Sequence, residues 1–361
     1  MAHRVWAWIK RNMAYQRQFI SHAESQPPFF VGLDLGGTNV KVGVVDDQGR
    51  PMSWLTIPTL VERGGEDASQ RMAQAIHEAI RQAGIRPGDV ARVGLGSPGT
   101  MDIPGGRLVK PANFRGWENF PVRDRVACHA QLPLTFANDA SAAAYGELWV
   151  GSGRNFHSLV LLTLGTGVGC GIIIGHSPLS GEHSHGGEFG HSMIDYHDDA
   201  RVCACGQTGH FEAYTSATSV TKRTLEALAA GHESSLSHRV AQGETVSSLL
   251  VAEEAERGDP LALEIVMETG KYLGIGIVNL MHTIDPEGIL LGGAMLFGGH
   301  ETELGRRFLA RIKQEVKRRA YPFLVERTII DFATLGGDAG FIGAAGLARV
   351  DYRKQMGLPT S

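Results

Sequence analysis

The sequence predicts an α/β fold in two lobes, on three observations. A unit of strand, glycine-threonine turn and strand occurs twice, opening at Phe29 and again at Leu159. Between and after these units, short apolar runs of strand length alternate with longer segments of helical period. The chain has 361 residues, more than the roughly 250 to 300 that one hydrophobic core usually organises.

In chain order, Met1 to Pro28 carries Arg4, Lys10, Arg11 and Arg17 beside Trp6, Trp8 and Ile9, and is read as a flexible extension. It has the makings of one weak basic amphipathic helix, and a single such segment anchors poorly to a membrane. Val31, Leu33 and Leu35 then alternate, Gly36-Gly37 turns the chain, and Val40, Val42 and Val44 alternate again, as in a hairpin. A third strand is expected over Met52 to Pro58, and a helix over Ser69 to Ala83 with Gly84 as its stop. Ala91 to Leu95 reads as a strand entering the loop Gly96 to Thr100. Leu132 to Phe136 reads as a strand ending at Asn138-Asp139, with a helix over Ala140 to Val150. Leu159 to Leu164, the loop Gly165 to Gly169 and Cys170 to Ile174 repeat the opening unit, implying two halves of related architecture. Helices follow over Ser219 to Ala230, Ser247 to Arg257 and Leu261 to His282. The last holds Gly270, Gly274 and Gly276, each costing ~1 kcal/mol relative to alanine, as where something approaches the backbone closely. Gly288 to Leu291 and Thr328 to Phe332 read as strands, and Glu301 to Arg319 and Asp338 to Arg349 as helices.

With 34 basic and 38 acidic residues mixed along the chain and a net charge of -4, there is no electrostatic footprint for a polyanion, so nucleic acid is not expected as a partner. No apolar run reaches the ~18 residues of a bilayer span, so no membrane partner is expected. Four cysteines and no secretory segment fit a reducing cytoplasm.

The chemistry concentrates in a few places. Gly187 to Glu212 packs Cys203, Cys205, His191, His210, Glu188 and Glu212 into one glycine-rich segment, and six of the fifteen histidines lie between His176 and His210. Two thiols and two imidazoles make a Cys2His2 set that closes a tetrahedral structural zinc site. A disulfide between Cys203 and Cys205 is disfavoured by the strained small ring. Asp34-Leu-Gly-Gly-Thr and Leu164-Gly-Thr-Gly each place side-chain-free backbone and a hydroxyl where amides can face phosphate oxygens. Neither matches a P-loop, and singly each is also what a hairpin turn requires. Asp139, at a strand end and helix start, reads equally as a helix N-cap and as a carboxylate kept ionised by the helix terminus, able to receive a hydroxyl proton in phosphoryl transfer.

Together these residues resemble the ROK family (repressors, open reading frames and sugar kinases) of the actin-like and hexokinase-like ATPase superfamily. The resemblance runs from Phe29 to Arg349. It rests on Asp34-Leu-Gly-Gly-Thr-Asn-Val-Lys, Pro111-Ala-Asn-Phe-Arg-Gly-Trp, Asn138-Asp139-Ala, Leu164-Gly-Thr-Gly-Val-Gly, Gly187-Glu-Phe-Gly-His, Cys203-Ala-Cys-Gly with Glu212, and Leu291-Gly-Gly-Ala. It implies an actin-like, hexokinase-like fold with a cleft between lobes, using ATP and Mg2+ to phosphorylate a sugar. By that resemblance Asp139 is the catalytic base, while Asn113, Asn138, Asp139, Glu188, His191 and Glu212 hold the sugar. Gly37, Thr38, Thr166 and Gly167 contact the nucleotide phosphates, Asp34 lies near magnesium, Gly293 lies by the adenosine, and Gly36, Lys41, Gly165 and Gly292 belong to the same nucleotide site. Where the family usually has a third cysteine this chain has His210, so the zinc set His191, Cys203, Cys205 and His210 would be formally neutral.

The leading expectation is transfer of the γ-phosphoryl of ATP to the 6-hydroxyl of glucose, giving glucose 6-phosphate. N-acetylmannosamine, mannose, fructose and allose are alternatives. A sugar-responsive repressor is the rival class, disfavoured because only about 28 residues precede the first strand. Residues 29–137 with 338–361 are expected to form a small lobe, and 138–337 a large lobe carrying the zinc loop. A homo-oligomer, dimer or tetramer, is expected.

Overall fold

The computed structural model describes residues 17–111 and 114–360. Among the described residues the chain divides into two compact units: an amino-terminal unit of residues 17–161 with Gly171–Gly187 and Ala333 onward, and a central unit of Leu162–Cys170 and Glu188–Phe332. The predicted basic helix in the first residues lies outside the described residues. Residues 17–28, expected to belong to the flexible extension, are fastened: Ile20 N–H donates to Pro51 O at 3.0 Å, and the Arg17 guanidinium pairs with Asp338 and lies 3.9 Å over the Trp54 ring.

The amino-terminal unit is built on a five-stranded sheet of order β3-β2-β1-β4-β7. Its strands are β1 (Phe29–Leu35), β2 (Asn39–Val45), β3 (Pro51–Pro58), β4 (Val90–Ser97) and β7 (Leu134–Asn138). β1 to β3 run antiparallel through the predicted hairpin turns, whereas β4 and β7 join β1 in parallel. Between them lies a small hairpin, β5 (Thr100–Asp102) with β6 (Arg107–Lys110). Helices α1 (Gly64–Gln82), α2 (Val122–Ala130), α3 (Asp139–Trp149) and α11 (Ala339–Gln355) complete the unit. α1 starts at Gly64 instead of the expected Ser69, because Glu66 and Asp67 occupy its first turn, where acidic side chains favour the dipole.

The small residues of α11 explain its place. A Cβ on Gly343 would sit 1.6 Å from the Ala142 carbonyl oxygen of α3, and one on Gly32 of β1 would sit 1.8 Å from the Phe341 carbonyl oxygen. α11 therefore lies backbone to backbone on both α3 and the sheet. This holds α3 in the amino-terminal unit, so the observed division falls elsewhere than the expected boundary at residue 138.

The second five-stranded sheet has the order β10-β9-β8-β11-β12, with β8 (Ser158–Leu164), β9 (Val168–Ile174), β10 (Ser177–Pro178), β11 (Gly288–Gly293) and β12 (Ile329–Phe332). Numbered from the first strand of each sheet, the order is the same in both, so the repeat expected from the two glycine-threonine units exists as topology. The boundary between the units passes through β8 and β9. The central unit adds α4 (Glu212–Thr215), α5 (Ala217–Ala229), α6 (Ser235–Ala241), α7 (Ser248–Glu256), α8 (Pro260–Ile284), α9 (Glu303–Arg319) and α10 (Pro322–Val325). Ser216, Ser247, Asp259 and Thr302 cap α5, α7, α8 and α9 with side-chain oxygens. The glycines of α8 meet what they were expected to admit: a Cβ on Gly274 would be 2.6 Å from Glu315, and one on Gly276 would be 2.4 Å from the Phe211 ring.

Candidate functional site

In the amino-terminal unit the candidate residues gather at the carboxyl ends of the parallel strands, where open α/β sheets bind ligands. Asp34 is the penultimate residue of β1 and stands in register with Lys41 on β2 and Gly96 on β4. Burial pushes its carboxyl above the usual range, partly countered by Lys41, whose Nζ is 3.5 Å away. Lys41 also donates to the Gly337 carbonyl at 2.7 Å, so this ammonium is held by the protein itself. Beyond Asp34 the turn Gly36, Gly37, Thr38 is closed by Gly36 N–H to Asn39 O at 3.0 Å and Thr59 Oγ1 to Gly36 O at 2.6 Å. Gly37 and Thr38 are exposed.

At the end of β7, Asn138 is the N-cap of α3, its Oδ1 accepting the Ser141 N–H at 3.0 Å. This corrects the expectation that the cap is Asp139. Asp139 is the first helical residue, and its Oδ1 accepts from its neighbour's amide, Ala140 N–H, at 2.8 Å. A Cβ on Gly96 would lie 3.6 Å from the Asp139 Cα, so β4 lets Asp139 approach the strand that faces Asp34. Asn113 lies outside the described residues. Its motif neighbours Phe114 and Trp117 are fully buried and stacked at 5.0 Å, with Trp117 Nε1 donating to Val61 O at 3.2 Å.

In the central unit the second glycine loop follows β8. Gly165 N–H donates to Gly167 O at 3.0 Å, and Ala217 N–H, at the start of α5, donates to Gly165 O at 2.9 Å. Gly36, Gly37, Gly165 and Gly167 all avoid the left-handed region, so space and not φ is what glycine supplies here. A Cβ on Gly165 would meet nothing within 4 Å, and one on Gly167 would lie 2.4 Å from Glu212 Oε2. Thr166 is exposed. Gly292 is buried in β11, whereas the exposed Gly293 has φ +93° and sits so close to Leu164 that a Cβ would be 2.3 Å from its carbonyl oxygen. The ends of β8 and β11 thus bring the Gly165 loop and Gly293 side by side.

The same unit assembles the thiols and imidazoles. One donor atom from each of His191, Cys203, Cys205 and His210 lies within 4.8 Å of every other, and tetrahedral zinc spaces such donors by about 3.3 to 3.8 Å. The donor chemistry and the spacing fit that ion. His191 Nδ1 is 3.8 Å from Cys203 Sγ while its Nε2 is 3.9 Å from Glu188 Oε2, so its two ring nitrogens face different neighbours. His210 Nδ1 is 3.3 Å from Cys205 Sγ. Without a cation, burial pushes the Cys203 thiol up to about 11, and burial and His191 hold the His210 imidazole toward its neutral form. Glu212, first in α4, accepts Val168 N–H at 2.8 Å with Oε2 and lies 3.5 Å from Cys203 Sγ with Oε1. It therefore touches both the thiol cluster and the residue after the glycine loop.

The sequence reading missed Asp195 and Tyr214. Tyr214 donates to Asp195 Oδ2 at 2.6 Å and accepts Arg201 N–H at 2.9 Å. Hydrogen bonds from Tyr214 and His197 lower the Asp195 carboxyl to about 2. No local pattern marks either residue.

Comparison with known proteins identifies the family and the fold. The model of the ROK family matches residues 30–351. A glucokinase of Halalkalibacterium halodurans is 32% identical over 321 residues, covering 89% of this chain and 95% of the relative. A ROK hexokinase structure from Thermus thermophilus superposes with a TM-score of 0.76 at 30% identity, covering 90% of this chain and 99% of that one. A ROK family glucokinase from Streptomyces griseus, solved with glucose and AMPPNP, superposes with a TM-score of 0.70 at 30% identity, covering 89% and 99%. The α/β fold is thus the actin-like, two-lobed fold of the ROK hexokinases, and the chain belongs to the ROK family.

Proposed function

We propose that this chain is an ATP-dependent hexose kinase converting glucose to glucose 6-phosphate. The observation that carries the reading is the placement of Asp139 and Asp34 at the carboxyl ends of the parallel strands β7 and β1 of one mixed sheet, each beside an element suited to an anion: the start of α3 and the turn with the exposed Gly37 and Thr38. The relatives named above support glucose and ATP as the substrates.

In this reading Asp139 receives the proton of the 6-hydroxyl as that oxygen bonds to the γ-phosphorus and the bond to the departing ADP oxygen breaks. Asn138 spends its carbonyl oxygen on the cap, leaving its NH2 to donate to a sugar hydroxyl. Glu188, His191 through Nε2, Glu212 and Asn113 hold the other hydroxyls. A hydroxyl missing from the substrate would leave these groups unpaired, which is the basis for selectivity. Gly36, Gly37, Thr38, Gly165, Thr166 and Gly167 receive phosphate oxygens, Gly292 and Gly293 the adenosine, and Lys41 steadies Asp34. Magnesium, bound near Asp34, would offset phosphate charge. The cluster His191, Cys203, Cys205, His210 would hold a structural zinc, its four donors supplying a closed site that shapes the loop and takes no part in bond-making.

The test is a coupled assay over glucose, mannose, fructose, allose and N-acetylmannosamine with ATP, alongside metal analysis of the purified protein. Glucose turnover should lead and one zinc per chain should be found. No turnover on any hexose removes the kinase reading. Full activity with no metal after chelation removes the zinc.

A further inference from the structure

We propose that Tyr214 is a positioning residue, whose hydroxyl ties the loop between His191 and Cys203 to the helix carrying Glu212 and so sets how tightly that loop holds zinc and sugar. The inference rests on the zinc reading above. Eleven residues separate His191 from Cys203, and a loop of that length brings its two donors together only if its middle is fixed.

The backbone fixes part of it. Phe211 N–H donates to Ser192 O at 2.8 Å, next to His191, and Cys203 N–H donates to Gln207 O at 2.8 Å. Gly209 bonds both halves, accepting Ile194 N–H at 2.9 Å and donating to Arg201 O at 2.9 Å. Tyr214 supplies the side-chain tie. It stands in α4 two residues after Glu212, is 3% exposed, and packs on the Tyr272 ring at 4.8 Å. Its hydroxyl donates to Asp195, four residues past His191, and accepts from Arg201, two residues before Cys203. Both capacities of a buried hydroxyl are thus spent on the two ends of one loop. The other carboxylate oxygen of Asp195 takes His197 Nδ1 at 2.7 Å, so both oxygens of the carboxylate have partners within the loop and helix. The remaining side-chain tie, Arg201 to Glu226, is a surface ion pair and contributes little.

The helix that presents Glu212 and the loop that presents His191 and Cys203 are therefore registered by these backbone bonds and, at the side-chain level, by the phenol oxygen. Moving that register shifts Glu212 and His191 relative to the sugar without touching the phosphoryl-transfer residues. The expected signature is a change in zinc retention and in glucose KM, with kcat kept.

Tyr214→Phe keeps the ring against Tyr272 and removes only the hydroxyl. Zinc release to a chromogenic chelator should be about tenfold faster than in the natural protein, in line with the loss of a hydrogen bond to a charged group. Glucose KM should rise about fivefold or more with kcat within about twofold, in a variant whose thermal melt confirms folding. Asp195→Asn, which keeps an oxygen to accept from the phenol, should stay near the natural zinc release and KM, and Asp195→Ala should match Tyr214→Phe. Natural zinc release with unchanged KM in Tyr214→Phe, or a fall in kcat at constant KM, overturns the inference. A natural protein without zinc overturns the metal reading instead, and the KM comparison then still decides the role of Tyr214.

Discussion

Replacing Asp139 by asparagine separates chemistry from folding with little ambiguity. The amide keeps an oxygen to accept the Ala140 N–H that Asp139 accepts at 2.8 Å, and the cap of α3 belongs to Asn138, which is untouched. Among what folding loses is the interaction of one first-turn negative charge with the helix dipole, about 0.3 to 1 kcal/mol. For a chain of this size that shifts the melting temperature by roughly 0.5 to 1.5 °C. What catalysis loses is the proton acceptor, and general-base removal costs about 10²- to 10⁴-fold in kcat, equivalent to about 2.7 to 5.4 kcal/mol of barrier. The assay is glucose 6-phosphate formation coupled to a dehydrogenase, with glucose binding followed by calorimetry and folding by thermal melt. Glucose should still bind within a few-fold of the natural affinity. A kcat within about threefold of natural would refute Asp139 as the base, and a melting temperature lowered by more than about 5 °C would refute the assignment of the cap to Asn138.

Three other outcomes follow from the geometry. Gly165→Ala should leave the melt unchanged within about 1 °C, since its Cβ meets nothing within 4 Å, while ATP KM rises about tenfold as the methyl takes phosphate space; an unchanged ATP KM removes this loop from phosphate binding. Gly343→Ala puts a Cβ 1.6 Å from the Ala142 carbonyl oxygen, and because backbone cannot yield as a side chain does, the loss read from denaturant midpoints should be about 3 kcal/mol or more; a loss under about 1 kcal/mol would contradict the close packing of α3 on α11. The Arg125 guanidinium, then His129, hold the Glu66 carboxyl down at about 2 against an ordinary 4.5, so its stabilisation is present above pH 4.5 and is lost as pH falls toward 2. Glu66→Gln should therefore cost a little at pH 7, under about 1 kcal/mol for so exposed a pair, and nothing near pH 2; an equal cost at both pH values refutes the pairing.

The parts of the site legible in the sequence are those whose chemistry is local. A glycine-threonine turn between apolar runs, an Asn-Asp pair before a helix and a Cys-x-Cys with nearby histidines each carry their candidate chemistry in a short window. The elements that escaped are short or weakly periodic. α2 shows only Val122, Val126 and Ala130 buried, α6 buries Leu236 alone, and β5 and β6 have three and four residues, too few to establish a period. The assignment of the cap at Asp139 missed by one residue, because Asn138 and Asp139 are both good capping types and only backbone conformation separates them.

The sequence by itself determined the α/β class, the two repeated units and the donor types gathered between His191 and His210, since these follow from backbone period, glycine placement and side-chain chemistry within a few residues. Only the tertiary structure decided that Lys41 is spent on Asp34 and Gly337, that Glu212 spans the thiol cluster and the loop after β8, and that Tyr214 ties Asp195 to Arg201. Each of these joins elements separated along the chain or a loop folded on itself, and a hydrogen bond that depends on such packing leaves no period or spacing by which to recognise it.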